Sequence, residues 1–303
     1  MFDIDIDKWI KGGNQMKDCH TNVRPREEGV SNAAFWDIEI VNEPTGEIPE
    51  FAIFDFDGTV SLLREGWQPI MYDFFTEELC KCKDAPARDE SKRIVMDFVD
   101  KLTGKQTIFQ CMQLCEEMKK YGGVPEEPLA YKTEYLNRLM AKIKDRRDGL
   151  RDGSDPAPHL VPGVCETLKA LNDLHVKCFL TSGTDEADVL EEAQLLGVAD
   201  YFESIHGATD ANSTSCSKEK VLHELIESRH LQGTKLLGFG DGYVEIELTK
   251  NVGGYAVAVA TAEDRKDGSV NAWKRQRLLS AGADCVIPDF SNTHRLMQFI
   301  LRR

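Results

Sequence analysis

Phe51-Ala52-Ile53-Phe54-Asp55-Phe56-Asp57-Gly58-Thr59 is an apolar run that ends in two carboxylates, a glycine and a hydroxyl. The run is short and hydrophobic throughout, as expected of a strand buried on both faces. Side chains alternate along a strand, so Asp55 and Asp57, two positions apart, face one pocket. Two like charges that close require a cation or one retained proton. Stability gives no reason to end a buried strand this way, and the pattern points to magnesium-assisted phosphoryl transfer.

The surrounding composition is that of an ordinary soluble globular protein. The chain has 303 residues and is 41% hydrophobic, enough for one large domain or two moderate ones. Its formal net charge of −15 argues against a nucleic-acid partner, which demands clustered basic residues. A small phosphorylated substrate stays compatible, because that binding is local. The nine cysteines are odd in number and follow no leader-like segment, so reduced cytoplasmic thiols are expected. Cys80-Lys81-Cys82 and the pair Cys111 and Cys115 lack a matching second pair at zinc-site spacing. No apolar stretch approaches the ~20 residues of a membrane span, so no membrane partner is expected.

Organisation changes along the chain. Residues 1–48 are polar and mixed, with one alternating stretch, Phe35 to Val41, that suits a strand; they read as an extension wrapping the main domain. Beyond Asp55 the period turns helical: Ile94, Phe98 and Leu102, then Ile108 and Met112, then Tyr135, Leu136, Leu139, Met140 and Ile143 trace helix faces. Lys144 to Pro162 is charged and rich in glycine and proline, a connector out of that unit. The expected division is an extension over 1–48, a core from 49–62 and 158–303, and an inserted helical domain over 63–157.

After the connector, strands and helices alternate. Val176–Leu180, Phe202–His206, Lys235–Phe239, Tyr255–Val259 and Asp284–Ile287 read as strands, with helices over Val164–Leu174, Glu186–Leu196 and Lys218–Glu227. Such alternation implies an α/β fold with a parallel sheet between two helical layers. Ligands of these sheets bind outside the carboxyl ends of the strands.

Each strand end therefore carries a candidate. Thr181-Ser182-Gly183-Thr184 reads as a hydroxyl-rich turn before a helix, suited to phosphate oxygens or simply to capping. Lys218 and Lys220 open a helix whose dipole disfavours cations there, so they face either a ligand or solvent. Asp241 lies between Gly240 and Gly242 after a buried strand. Magnesium favours oxygen donors, and Asp55, Asp241 and the main-chain carbonyl of Asp57 supply them. Glu245 either reaches the ion through water or braces Lys218, and Glu247 reads as a solvated acid.

In this order the sites resemble the haloacid dehalogenase superfamily. Asp55-Phe56-Asp57-Gly58-Thr59 matches its first motif, Thr181 the second, Lys218 the third, and Gly240-Asp241-Gly242-Tyr243-Val244-Glu245 the fourth. The resemblance covers about residues 50 to 300 and implies a Rossmann-like three-layer core with an inserted all-helical cap. Within the insertion, Leu102-Thr103-Gly104-Lys105-Gln106-Thr107 resembles the substrate loop of the phosphoglycolate phosphatase and β-phosphoglucomutase branch. Lys105, Gln106 and Thr107 are thus substrate-recognition candidates, as are Ser182 and Gly183. Arg64, just past the first motif, either meets a substrate anion or forms a hinge salt bridge. Two departures stand out: Glu245 replaces the Asp of many relatives, and Glu219 follows Lys218 where proline is usual, which leaves Lys220 in contention.

The resemblance implies a magnesium-dependent phosphatase acting on a small phosphorylated metabolite. In it Asp55 is the nucleophile and Asp57 the general acid and base, while Thr181 and Lys218 hold phosphoryl oxygens. Asp55, Asp57, Asp241 and Glu245 are the metal-site candidates. A phosphomutase shares the same core residues and is the alternative; a dehalogenase needs neither magnesium nor Asp57, and a non-catalytic binding module would not require the intact acids.

Overall fold

The computed structural model describes residues 38–208, 224, 227, 235–265 and 267–302. Lys218, Lys220 and all but two residues of the expected Lys218–Glu227 helix lie outside them; within it, Glu224 and Glu227 are helical. The expected extension, residues 1–48, also falls largely outside.

Seven strands among the described residues form one sheet: β1 (Glu39–Ile40), β2 (Phe51–Asp55), β3 (Lys177–Asp185), β4 (Ser204–Ala208), β5 (Leu236–Gly240), β6 (Tyr255–Val259) and β7 (Cys285–Ile287). Their order is β1-β7-β6-β5-β2-β3-β4. All pairings are parallel except that of β1 with β7, where Glu39 opposes Val286. The strand expected over Phe35–Val41 is thus seen as its described end, closing one edge of the sheet.

β2 is the centre of the architecture. Every residue of it is buried, and it pairs with β3 on one side and β5 on the other. The chain leaves β2 for one neighbour and returns later to the other, so its carboxyl end is a topological switch point, where ligands of open α/β sheets bind. Phe54 anchors the strand from below. Its ring stacks on Phe239 of β5 with centroids 4.4 Å apart and meets Phe202 edge-on at 5.9 Å.

Helices cover the sheet and build a separate cluster. Between β2 and β3 the chain forms α1 (Trp67–Leu79), α2 (Arg88–Leu102), α3 (Thr107–Lys120), α4 (Pro128–Arg151) and α5 (Val164–Asp173). The first four share their own apolar core, with Phe75, Val99, Leu114 and Ile143 fully buried. α5 joins the sheet instead, packing Leu168 and Leu171 beneath it. Later come α6 (Glu186–Leu195), α7 (Tyr243–Asn251), α8 (Ala272–Ser280) and α9 (Thr293–Leu301). The fold is α/β and Rossmann-like, with an inserted helical cap between its first two parallel strands.

Several local expectations shift. Met112 is 37% exposed rather than on the buried face of α3. The strand expected from Phe202 begins at Ser204, because Phe202 packs into the core beneath β2. Thr181–Thr184 is not a turn: it continues β3, with a shift of register against β4 between Thr181 and Asp185. Pairing at the two ends of the stretch, Thr181 with His206 and Asp185 with Ala208, keeps it in β3, and Ser182, Gly183 and Thr184 lie in the irregularity between them. Among the described residues no helix is long and apolar enough to cross a membrane.

Candidate active site

The carboxyl ends of β2, β3 and β5 form the floor of one cavity of about 110 Å³, and the helical insertion forms its roof. Asp55, Asp57, Asp241, Ser182 and Gly183 line it from the core; Lys105, Gln110, Lys132 and Tyr135 line it from the cap. Asp55 ends β2 opposite Thr181 and is 5% exposed. Its Oδ1 accepts from the Phe56 amide at 2.8 Å.

The chain then turns within a few residues. Phe56 O accepts from the amides of Val60 at 2.8 Å and Ser61 at 2.9 Å. Gly58 makes the turn possible at φ 79°, and a Cβ there would collide with Asp241 Oδ2. The turn carries Asp57 back toward β3. Its Oδ2 accepts from the Thr184 hydroxyl at 2.9 Å and, at 3.5 Å, from Ser182. Asp57 Oδ1 is buried and has no hydrogen-bond partner among the described residues. Both aspartates reach one cavity, but β2 ends at Asp55, so it is the turn after the strand and not alternation along it that brings Asp57 there.

Other candidates are placed as follows. Thr181 is buried, with its hydroxyl 3.5 Å from the Phe54 carbonyl, and it does not line the cavity. Arg64 is 5% exposed and bidentate to Glu192, both bonds at 2.9 Å, with Asp57 Oδ1 at 3.9 Å. Burial alone would lower its pKa, but Asp57 and Glu192 outweigh this and hold the guanidinium charged. Arg64 thus makes a salt bridge to Glu192 and also lines the cavity. Lys105 packs its ammonium 5.8 Å from the centre of the Phe109 ring, and Gln106 is buried at the start of α3. A Cβ on Gly183 would stand 3.4 Å from the Lys105 carbonyl oxygen, so the cap loop passes directly over β3. Glu245 is buried in the first turn of α7 and is absent from the cavity wall.

Asp241 is the third carboxylate. Its amide donates to the Thr59 hydroxyl at 2.9 Å, tying β5 to the turn after β2. Its Oδ2 accepts from Lys274 Nζ at 2.6 Å. The same ammonium donates to Glu263 Oε1. Burial works against the charge on Lys274, yet Asp241 and Glu263 outweigh that and raise its pKa above the ordinary lysine value. A smaller adjoining cavity of about 30 Å³ is walled by Lys274, Glu263, Trp273 and Arg277.

Thr184, Lys274, Glu263, Arg277, Gln110, Lys132 and Tyr135 are site residues that the sequence did not single out. Thr184 alone carried a signal, as the last hydroxyl of the Thr181–Thr184 stretch.

Among the described residues no group of three or more His, Cys, Asp or Glu side chains gathers at ion-binding distance. The donor set is instead compatible with a hard cation held by few protein ligands: the carboxylates of Asp55 and Asp241 share a cavity with Asp57, one of whose oxygens accepts no hydrogen bond.

Residues 52–259 match the family described as haloacid dehalogenase-like hydrolase, a span that contains Asp55, Asp57, Thr181 and Asp241. The chain belongs to this family. Phosphoglycolate phosphatases of Vibrio vulnificus strains YJ016 and CMCP6 are 29% and 28% identical to it over 133 residues, 44% of this chain. The match spans 58% of the length of those relatives. Among solved structures, a β-phosphoglucomutase from Clostridium difficile superposes with a TM-score of 0.56 at 15% identity, covering 84% of this chain and 98% of its own. A predicted phosphoglycolate phosphatase from Haemophilus somnus 129pt gives 0.52 at 17%, covering 82% and 98%. These likenesses place the family's core fold and helical insertion on this chain.

Proposed function

We propose that this hydrolase is a magnesium-dependent phosphatase acting on a small phosphorylated metabolite, a phosphoglycolate-like or sugar-phosphate-like monoester, through an aspartyl phosphate. The observation that carries the reading is the convergence of Asp55, Asp57 and Asp241 on one cavity roofed by the helical insertion. Residues 49–62 and 158–303 act as the catalytic core and 63–157 as the cap. The seven described cysteines are free thiols, in keeping with a cytoplasmic protein.

Asp55 attacks phosphorus, forming the acyl phosphate as the leaving alkoxide departs. Asp57 gives its proton to that oxygen and later takes one from the attacking water, which returns Asp55 free and releases inorganic phosphate. Thr184 and Ser182 orient the Asp57 carboxyl from β3. Asp55, Asp241 and the Asp57 carbonyl, with Glu245 behind them, would hold a magnesium ion, which when bound would supply positive charge against Asp55 and the phosphoryl oxygens. Motif order assigns the oxygens on the other side to Thr181 and Lys218; Lys218 lies outside the described residues, and because Thr181 does not line the cavity, its neighbour Ser182, which does, takes that role. The cap excludes bulk water, and of its loop candidates Lys105 and Thr107 line the cavity where the leaving group would sit, while Gln106 is buried behind them. Arg64 holds α6 against the turn and lines the cavity, where it remains a candidate for the substrate anion.

The test is Asp55→Asn. Phosphate release from monoesters should fall by about a thousandfold or more while the circular dichroism spectrum is unchanged. Retained release would end the nucleophile assignment. Turnover that needs a bisphosphate primer and frees no phosphate would show a mutase instead.

A further inference from the structure

We propose that Lys274 is a resident cation on Asp241, a positioning residue that holds this carboxylate in place and weakens its grip on a divalent metal. The inference rests on the phosphatase reading in one respect, that Asp241 is a metal ligand.

Helix physics does not explain a lysine here. Lys274 lies in the first turn of α8, where the dipole disfavours a cation. The helix is already capped: the Asn271 side chain accepts from the Lys274 amide at 3.1 Å. The side chain could run to solvent, yet the residue is 5% exposed. Lysine is almost never buried unless paired, and both its partners are acids at the ends of neighbouring strands. Asp241 follows β5, and Glu263 follows β6, the strand beside it. Nζ is 2.6 Å from Asp241 Oδ2 and also donates to Glu263.

The surroundings leave this arrangement little freedom. A Cβ on Gly58 would collide with Asp241 Oδ2 and stand 3.1 Å from Glu263 Oε1. The turn after the nucleophile is therefore closed down onto the ion pair itself. Glu263 anchors Lys274, Lys274 anchors one oxygen of Asp241, and the other oxygen is left for a metal. Hence the carboxylate is fixed in orientation and partly neutralised before any metal arrives.

Two consequences have opposite signs. A fixed ammonium on a metal-binding carboxylate repels a divalent ion, so neutralising Lys274 should tighten magnesium binding by at least about tenfold, even with strong screening. The same ammonium stands beside the phosphoryl site, where fixed positive charge favours the transition state, so turnover should fall. A lysine that merely filled space would produce neither the tightening nor the split.

The experiment is a magnesium titration of the full chain by calorimetry, beside kcat, for wild type, K274M, K274R and D241N. K274M should bind magnesium about tenfold tighter or more and turn over more slowly, with K274R within about threefold of wild-type affinity. The double variant K274M/E263Q also removes the Glu263 charge, so that only Asp241 is left without its partner, and carries the same expectation should K274M fail to fold. Magnesium binding that D241N weakens but neither neutral variant tightens overturns the role of Lys274 alone. Binding unchanged by D241N overturns the metal reading and this inference together.

Discussion

Arg277 of the core helix α8 donates to the carbonyl oxygen of Thr103 in the cap, 2.8 Å away. It also donates to the carbonyls of Lys101, at 2.9 Å, and Asp100. Asp100 and Lys101 lie in the last turn of α2 and Thr103 is its C-cap, at the negative end of the helix dipole; the Asp100 carbonyl also accepts from the Thr103 amide at 3.2 Å. Tyr243 and Trp273 hold the guanidinium, with ring centres 4.7 Å and 5.1 Å from it. One core side chain thus fastens the loop that carries Lys105 and Gln106.

Arg277→Ala should free that loop. Hydrogen bonds from a charged donor contribute about 1.5–3 kcal/mol each, so losing this set should lower kcat/KM by roughly one to two orders of magnitude. Hydrogen exchange at residues 103–106 should quicken while β2 and β5 stay protected. Arg277→Lys keeps the charge but not the planar fork and should fall between the two. An unchanged exchange rate in the alanine variant would show that other contacts hold the cap.

How much of this could be read beforehand depends on where each contact comes from. β2 was legible because a fully buried strand must be apolar throughout, and a pair of acids at its end has no use inside a core. β5 and β6 announce themselves by the same composition. Thr181–Thr184 reads as a turn in sequence because serine and glycine weaken a strand locally, while the pairing that carries β3 on to Asp185 comes from Ala208, later in the chain. Arg64 leaves two readings open in sequence, and its partner Glu192, 128 residues away, is brought to it only by the fold. Lys274 and Arg277 were hidden by their neighbours. Trp273-Lys274-Arg275-Gln276-Arg277 has the look of a solvated basic turn, and only the packing of α8 beside β6 and β7 turns two of its cations inward.

Alkaline pH should destabilise the protein through its buried thiols. Burial raises Cys178 and Cys285 from an ordinary value of 9.0 to about 12. Below pH 9 these thiols are neutral in both the folded and unfolded chain and contribute no pH dependence. Between about 9 and 12 the unfolded chain ionises them and the folded one does not, so stability is lost as pH rises, by at most about 1.4 kcal/mol per unit for each thiol. The melting temperature should therefore drop steadily from pH 9 to 10.5. Iodoacetamide at pH 8 should leave both residues unmodified in the native protein and alkylate both in urea. Rapid native alkylation of either would show that its strand opens readily.

Thr184 separates orientation from binding at Asp57. Its hydroxyl donates to Asp57 Oδ2 at 2.9 Å and so fixes the orientation of the carboxyl that the proposed mechanism uses as proton donor. The opposite oxygen, Oδ1, faces Arg64 Nε at 3.9 Å. Thr184→Val keeps the shape of the side chain and removes that donor. A misaligned proton donor costs rate and not affinity, so kcat should fall about ten- to a hundredfold with KM within about threefold of wild type. Thr184→Ser restores the hydroxyl and should recover most of the rate. Because Asp57 matters only as far as the leaving group needs a proton, the deficit should shrink for a monoester of an acidic phenol such as 4-nitrophenol. A deficit of equal size on both substrates would mean that Thr184 acts on the geometry of the nucleophile, through β3 pairing with β2 at Asp55, and not on Asp57.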